Sequence, residues 1–115
     1  MTDHAIVVAD VNGIITWWNR GAEVLFGHRA AAALGQSLEL IVPTELRARH
    51  WAGFQRAMEA PKVKDLAADI PVLCGDGQVK EFAGRLLVLS DGLGTALGAM
   101  GIFAADGTTG IKPFG

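Results

Sequence analysis

His50 is the side chain best placed for chemistry. Leu46, His50, Phe54 and Met58 recur at every fourth position, which stacks them along one face of a helix. Arg47, Arg49, Gln55 and Arg56 fall mainly on its other sides. An imidazole therefore interrupts an apolar stripe and points towards whatever the helix packs against. Neutral imidazole donates, accepts and ligates metals. Two readings follow: a core histidine whose ring nitrogens find backbone partners, or a group that binds something held in the interior. The other reactive side chains are less well placed. Cys74 stands at a strand end beside a glycine turn, where a lone thiol reads as a small packing residue. His4 and His28 lie in polar, turn-like settings and, like Asp65 and Asp69, read as solvated. Trp17 and Trp18 are strand neighbours, so one packs inward and the other lies on the exposed side. The sequence has no Ser-His-Asp arrangement, metal-spaced cluster or phosphate loop, and no enzyme is expected.

The elements that must position His50 can be read from turns and periodicity. Pro43 and Thr44 predict a helix start, a rigid turn followed by a capping hydroxyl, with Glu45 in the first turn. Upstream, Ala5 to Ala9 and Ile14 to Trp18 read as two strands joined at Asn12-Gly13, a tight-turn signal. Asn19 caps a short helix from Arg20, whose inward face is Ala22, Leu25 and Phe26 and which Gly27 stops. Arg29 to Leu34 predicts a second short helix closed by Gly35, and Leu38 to Val42 leads into Pro43. After a surface connection from Glu59 to Asp65 come three apolar runs: Ala67 to Cys74, Val79 to Leu89 and Thr95 to Ala105. Glycine turns at Gly75-Asp76-Gly77 and Asp91 to Gly94 separate them, which predicts an antiparallel meander. Pro71 cannot donate to a ladder, so its strand belongs at an edge. Residues 107–115 are glycine-rich and expected to be a flexible, loosely held tail. Strands, then helices, then strands predict an α+β fold with the helices on one sheet face. It forms a single domain over 1–115, with a core over 5–105.

Composition narrows the function classes. The chain has 115 residues, half of them hydrophobic and 19% charged, which suits a folded core rather than disorder. A formal net charge of −2, with both signs spread along the chain, leaves no electrostatic footprint for nucleic acid. The single cysteine excludes an internal disulfide and fits a reducing compartment. The start, MTDHAIVVAD, lacks a basic flank and a cleavage site. The longest apolar run, Ala96 to Ala105, is short for a membrane span. A soluble, cytoplasmic domain without nucleic-acid or membrane partners is expected.

The order of elements, with the hairpin AIVVADVNGIITWWN, the turn AEVLFG, LGQ before the long helix and the hairpin CGDGQV, resembles the PAS domain over Ala5 to Ala105. The resemblance implies a five-stranded antiparallel sheet, with short helices and one long helix on its inner face, enclosing a small-molecule pocket. It also puts the strand Ala67 to Cys74 at an edge, in agreement with Pro71. The segment IVPTELRARH further resembles the helix of haem-binding oxygen-sensor PAS domains. There an (I/L)-x-P-x-x-x-R-x-x-H-like pattern ends in the proximal haem ligand. That implies haem b as cofactor and His50 as the metal ligand. Arg56 is implied beside a propionate, Phe54 lies one turn beyond His50, and Leu86, Val88, Met100 and Ile102 become candidates for the distal wall. Two departures stand out. Ala67 or Ala68 occupies the place of the distal arginine of those sensors, and no cysteine between Arg20 and Leu40 could form a flavin adduct.

Together these features imply a non-enzymatic sensory and signalling module that binds a small ligand between the long helix and the sheet. A ligand-free scaffold for protein–protein interaction is the alternative, with Phe54, Met58 and Met100 filling the interior. A homodimer is expected through apolar residues at alternate positions of the last two strands on the outer sheet face. A signalling partner protein is expected as well. After the last strand GIFAADGTTGIKPFG shows no heptad pattern, which suggests a stand-alone sensor or adaptor.

Overall fold

The structure, a computed structural model, describes residues 3–61 and 65–113. Strands β1 (Ala5–Ala9) and β2 (Ile15–Trp18) form the first hairpin. Its turn is closed by the Asp10 carboxylate, which accepts from the Asn12 and Ile14 amides at 2.9 and 3.0 Å. Helix α1 (Arg20–Phe26) starts at Asn19, whose Oδ1 accepts from Ala22 N at 2.9 Å and from Ile6 N at 2.8 Å. One side chain thus caps the helix and ties it to β1. A short α2 (Ala30–Ala33) and a 3-10 turn at Leu38–Leu40 lead to the long helix α3 (Arg47–Glu59). The expected Thr44 cap is not made. Thr44–Leu46 is instead a 3-10 turn after Pro43, and Leu46 N donates to the Pro43 carbonyl at 2.9 Å. The expected connection from Glu59 to Asp65 lies partly outside the described residues. Strands β3 (Asp65–Leu73), β4 (Val79–Ser90) and β5 (Ala96–Phe103) complete the meander.

All five strands form one antiparallel sheet in the order β2-β1-β5-β4-β3. Pro71 therefore does sit on an edge strand. Asp69 N donates outward to the Ile111 carbonyl at 2.8 Å and Leu73 N to the Ile41 carbonyl at 2.9 Å. Pro71 lies between them in this alternation, so its missing N–H falls on the side away from β4, where no ladder bond is lost. The tail expected to be loose is tied to this edge through Asp69, and Asp69, expected to be solvated, accepts from Thr108, Thr109 and Gly110.

Register and the two-residue period of a strand assign the two faces. Ala5, Val7, Trp18, Ala68, Val72, Phe82 and Phe103 lie on the helix side and are buried. Phe26 of α1 is fully buried at their centre, with ring centroids 5.8 Å from Trp18, 5.2 Å from Phe82 and 5.0 Å from Phe103, all edge-on. Leu86 pairs with Gly101 and Val88 with Ala99, so they share that inner face. Met100 and Ile102 alternate with these glycine and alanine positions and point the other way, which removes them from any pocket wall. They lie on the outer face, where Trp17, Val8, Met100 and Leu87 form a row across four strands beside Ile6 and Ile102. Trp18 is buried and Trp17 is 57% exposed, as strand alternation requires.

Candidate functional site

No residue of α3 is fully buried, although the helix lies over β5. Its half-buried side includes Arg47, His50, Trp51, Phe54 and Met58, and its exposed side carries Arg49, Ala52, Gln55 and Arg56. Polar ties hold its first half. Trp51 Nε1 donates to Glu39 Oε2 at 2.6 Å, Arg47 Nη2 donates to the Glu39 carbonyl at 3.3 Å, and Arg47 Nη1 stands 3.9 Å from Glu39 Oε1. The Trp51 ring covers Gly13, where a Cβ would stand 2.4 Å from it. Leu66 and Leu86 pair on the inner sheet face yet remain 46% and 38% exposed. The inner face of β3 and β4 thus keeps apolar surface within reach of solvent.

His50 sits at the centre of the inward side of α3. Its ring is stacked on Phe54 at 6.0 Å and meets the edge of Trp51 at 4.7 Å. Nδ1 is buried and has no hydrogen-bond partner. Burial pushes the imidazole pKa down, with the Glu39 carboxylate partly opposing, so the ring is neutral at pH 7. A core histidine satisfied by the backbone would have that nitrogen paired. Arg47 Nε, on the same side of the helix, is likewise buried without a partner. The arrangement offers a neutral imidazole and a guanidinium beside apolar surface, a set that suits a flat apolar ligand carrying an anionic edge.

Of the residues singled out from the sequence, the structure brings His50, Phe54, Leu86 and Val88 to the helix side of the sheet. Arg56 is exposed on the far side of α3, and Met100 and Ile102 are on the opposite sheet face. Sequence reasoning missed Glu39, Arg47 and Trp51 as the ties that set the helix. A tryptophan directly after His50 was the available signal. His28, expected to be solvated, is half-buried 6.2 Å from the Trp18 ring, with Nε2 unpartnered. Cys74 is buried, and desolvation raises its pKa, as befits a packing thiol. Among the described residues no group of three or more His, Cys, Asp or Glu is arranged to hold a metal ion, and no helix is long and apolar enough to cross a membrane.

Comparison with known proteins agrees with this architecture. The sequence model of the PAS fold matches residues 2–104. An uncharacterized protein of Azorhizobium caulinodans is 32% identical over 78 residues, 65% of this chain but 11% of that protein, so the chain spans a small part of that curated relative. Among solved structures, a PAS domain of Colwellia psychrerythraea superposes with a TM-score of 0.75 at 27% identity, covering 91% of this chain and 86% of that one. The light-state dimer of the fungal blue-light photoreceptor Vivid superposes with a TM-score of 0.68 at 13% identity, covering 90% and 78%, a likeness of fold alone. Family match, strand order and helix placement coincide, and the chain belongs to the PAS family of sensory and signalling modules.

Proposed function

We propose that this PAS domain senses through a small ligand held between α3 and the inner face of β3, β4 and β5, and that the ligand is haem b bound through His50. The buried, unpartnered Nδ1 of a neutral His50 carries this reading, since a native fold seldom leaves such an atom unpaired without a use. The residues present fit the group. His50 supplies one imidazole, Phe54, Leu86 and Val88 supply apolar surface, and Arg47 supplies a cation on the same side of the helix. Arg47, tied to Glu39 in the ligand-free chain, would turn from it to take the propionate role expected of Arg56. When bound, haem supplies an iron that can take a diatomic gas. The chain's own part is to hold the imidazole neutral, orient it by stacking on Phe54 and its contact with Trp51, and keep water from it. Ala68 is fully buried and Ala67 alternates to the other face, so neither offers a bound gas a hydrogen bond.

Titration of the purified chain with hemin, read by absorption before and after reduction, tests this proposal. A Soret band shifted from that of free hemin, and lost in His50→Ala with the far-UV circular dichroism retained, is the expected result. Absence of a shift in the wild-type protein refutes haem binding. A second role, homodimerisation through the outer sheet face, rests on the apolar row Trp17, Val8, Met100 and Leu87. A row of this kind on an open sheet face commonly has a partner. Sedimentation at high micromolar concentration should give a dimer that Met100→Lys dissociates. A wild-type monomer under those conditions removes this role.

A further inference from the structure

A groove of about 470 Å³ is lined by Arg20, Glu23, Val24, Gly27 and Arg29 and takes no residue from α3. The first four stand at i, i+3, i+4 and i+7, a single stripe along α1. Ala22 and Phe26 of the same helix face the core and are fully buried, which turns the stripe to solvent. Gly27 ends it with φ +80° and no side chain, so the chain reverses there and brings Arg29 alongside. The backbone that carries the groove is fixed at three points. A Cβ on Gly21 would collide with the His4 carbonyl, so the first turn of α1 lies tight against β1. Gly75 N donates to the Phe26 carbonyl at 2.7 Å, and Trp18 Nε1 donates to the His28 carbonyl at 2.9 Å. The two arginines are thus presented from a rigid frame, which lowers the ordering cost of binding.

Glu23, three residues beyond Arg20, is the acid that would ordinarily pair with it. Its Oε2 instead accepts from Ala30 N at 2.7 Å and sets the start of α2. Among the described residues neither Arg20 nor Arg29 has a hydrogen-bond or ion-pair partner. Val24 beside them is 65% exposed. The groove therefore offers two unpaired guanidiniums against one carboxylate, next to an uncovered apolar side chain, on a chain whose formal net charge is −2. Guanidinium forks pair bidentately with carboxylates, and arginine is enriched where proteins meet. A small ligand would stay mostly in water here, because four of the five lining residues are exposed and ligand sites enclose most of what they hold. Glu23 in the same groove repels a compact dianion, whereas carboxylates spaced along a peptide can avoid it. We propose that this groove docks an acidic segment of a partner protein, with carboxylates on Arg20 and Arg29 and an apolar side chain on Val24. The groove shares no residue with the His50 site, so the docking stands whether or not haem binds.

Amide NMR of the whole chain, titrated at low salt to millimolar concentration with a blocked peptide of alternating glutamate and leucine, is the test. Shifts should centre on Val24, Gly27 and Arg29 and weaken as salt is added. Arg20→Gln and Arg29→Gln should each weaken binding at least threefold, and the double variant at least tenfold. Both side chains are exposed, so an unchanged Phe82 amide signal should show that the fold is kept. Val24→Ser should weaken binding at least twofold, and a peptide with glutamine in place of glutamate should not bind. Absence of shifts at the groove, wild-type affinity in the double variant, or shifts centred on Arg49 and Arg56 of α3 would each overturn the proposal. Inorganic phosphate that reproduces the peptide's shifts would also overturn it, reducing the groove to a place for an adventitious ion only.

Discussion

Replacing Gly13 with alanine isolates the contact that sets α3 on the sheet. Gly13 has φ +76°, and a Cβ there would stand 2.4 Å from both Cη2 and Cζ3 of Trp51. The left-handed backbone alone costs a non-glycine residue about 1–2 kcal/mol. The indole must also move, and with it the 2.6 Å bond from Nε1 to the Glu39 carboxylate, a hydrogen bond to a charged group worth about 1.5–3 kcal/mol. Partial relaxation brings the expected loss to about 2–4 kcal/mol. Gly77 provides the control. Its φ is +84°, and a Cβ there meets nothing within 4 Å, so Gly77→Ala should lose only the backbone part, about 1–2 kcal/mol. Urea unfolding followed by far-UV circular dichroism gives both values, and a Trp17→Phe background lets fluorescence report on Trp51 with less signal from the exposed indole. Equal losses in the two variants, or a Gly13→Ala protein with unchanged Trp51 emission, would refute this account of helix docking.

Phe26→Ala should cost about 3–5 kcal/mol by equilibrium unfolding, since a fully buried ring is replaced by a cavity. For Asp69, the folded pKa near 2 lies below the ordinary carboxylate value of 3.8. Its contribution is therefore fully present above about pH 4 and is lost as pH falls through 2. The slope of stability against pH over that window should be smaller in Asp69→Asn. Burial lowers the His50 pKa below 6.5, so the unfolded chain takes up that proton first and stability falls as pH drops below about 6.5. The ligand-free protein should lose this component in His50→Gln, as read by thermal unfolding between pH 5 and 8.

Much of the fold was legible because short-range chemistry specified it. Asn12-Gly13, Asn19, Gly27 and Pro71 each impose a local geometry that few other residues allow, and strand ends, helix starts and the sheet edge follow from them. The pairing phase of β5 was not legible. Hydrophobicity favours Met100 and Ile102 inward, yet Ala99 and Gly101 face the core because the Phe103 ring lies across the sheet there. A Cβ on Gly101 would stand 2.7 Å from that ring. Arg56 is a different case. Six residues at about 100° each carry it roughly 240° around the helix from His50, so the helical period itself places it away from the inward side. The bonds from Thr108 and Gly110 to Asp69 join residues about forty positions apart, and neither periodicity nor a turn rule reads such a pair. Glu39 was missed for a similar reason, since its value comes from Trp51 folding back upon it.

His50 is proposed to face a ligand site between α3 and the inner sheet face. Anomalous diffraction at the iron edge, on crystals of the chain grown with hemin, tests it most directly. One iron peak within bonding distance of the His50 imidazole is expected, with the porphyrin against Phe54, Leu86 and Val88 and a propionate near Arg47. An iron peak at the exposed His4, or hemin stacked on the outer face over Trp17 and Met100, would contradict it.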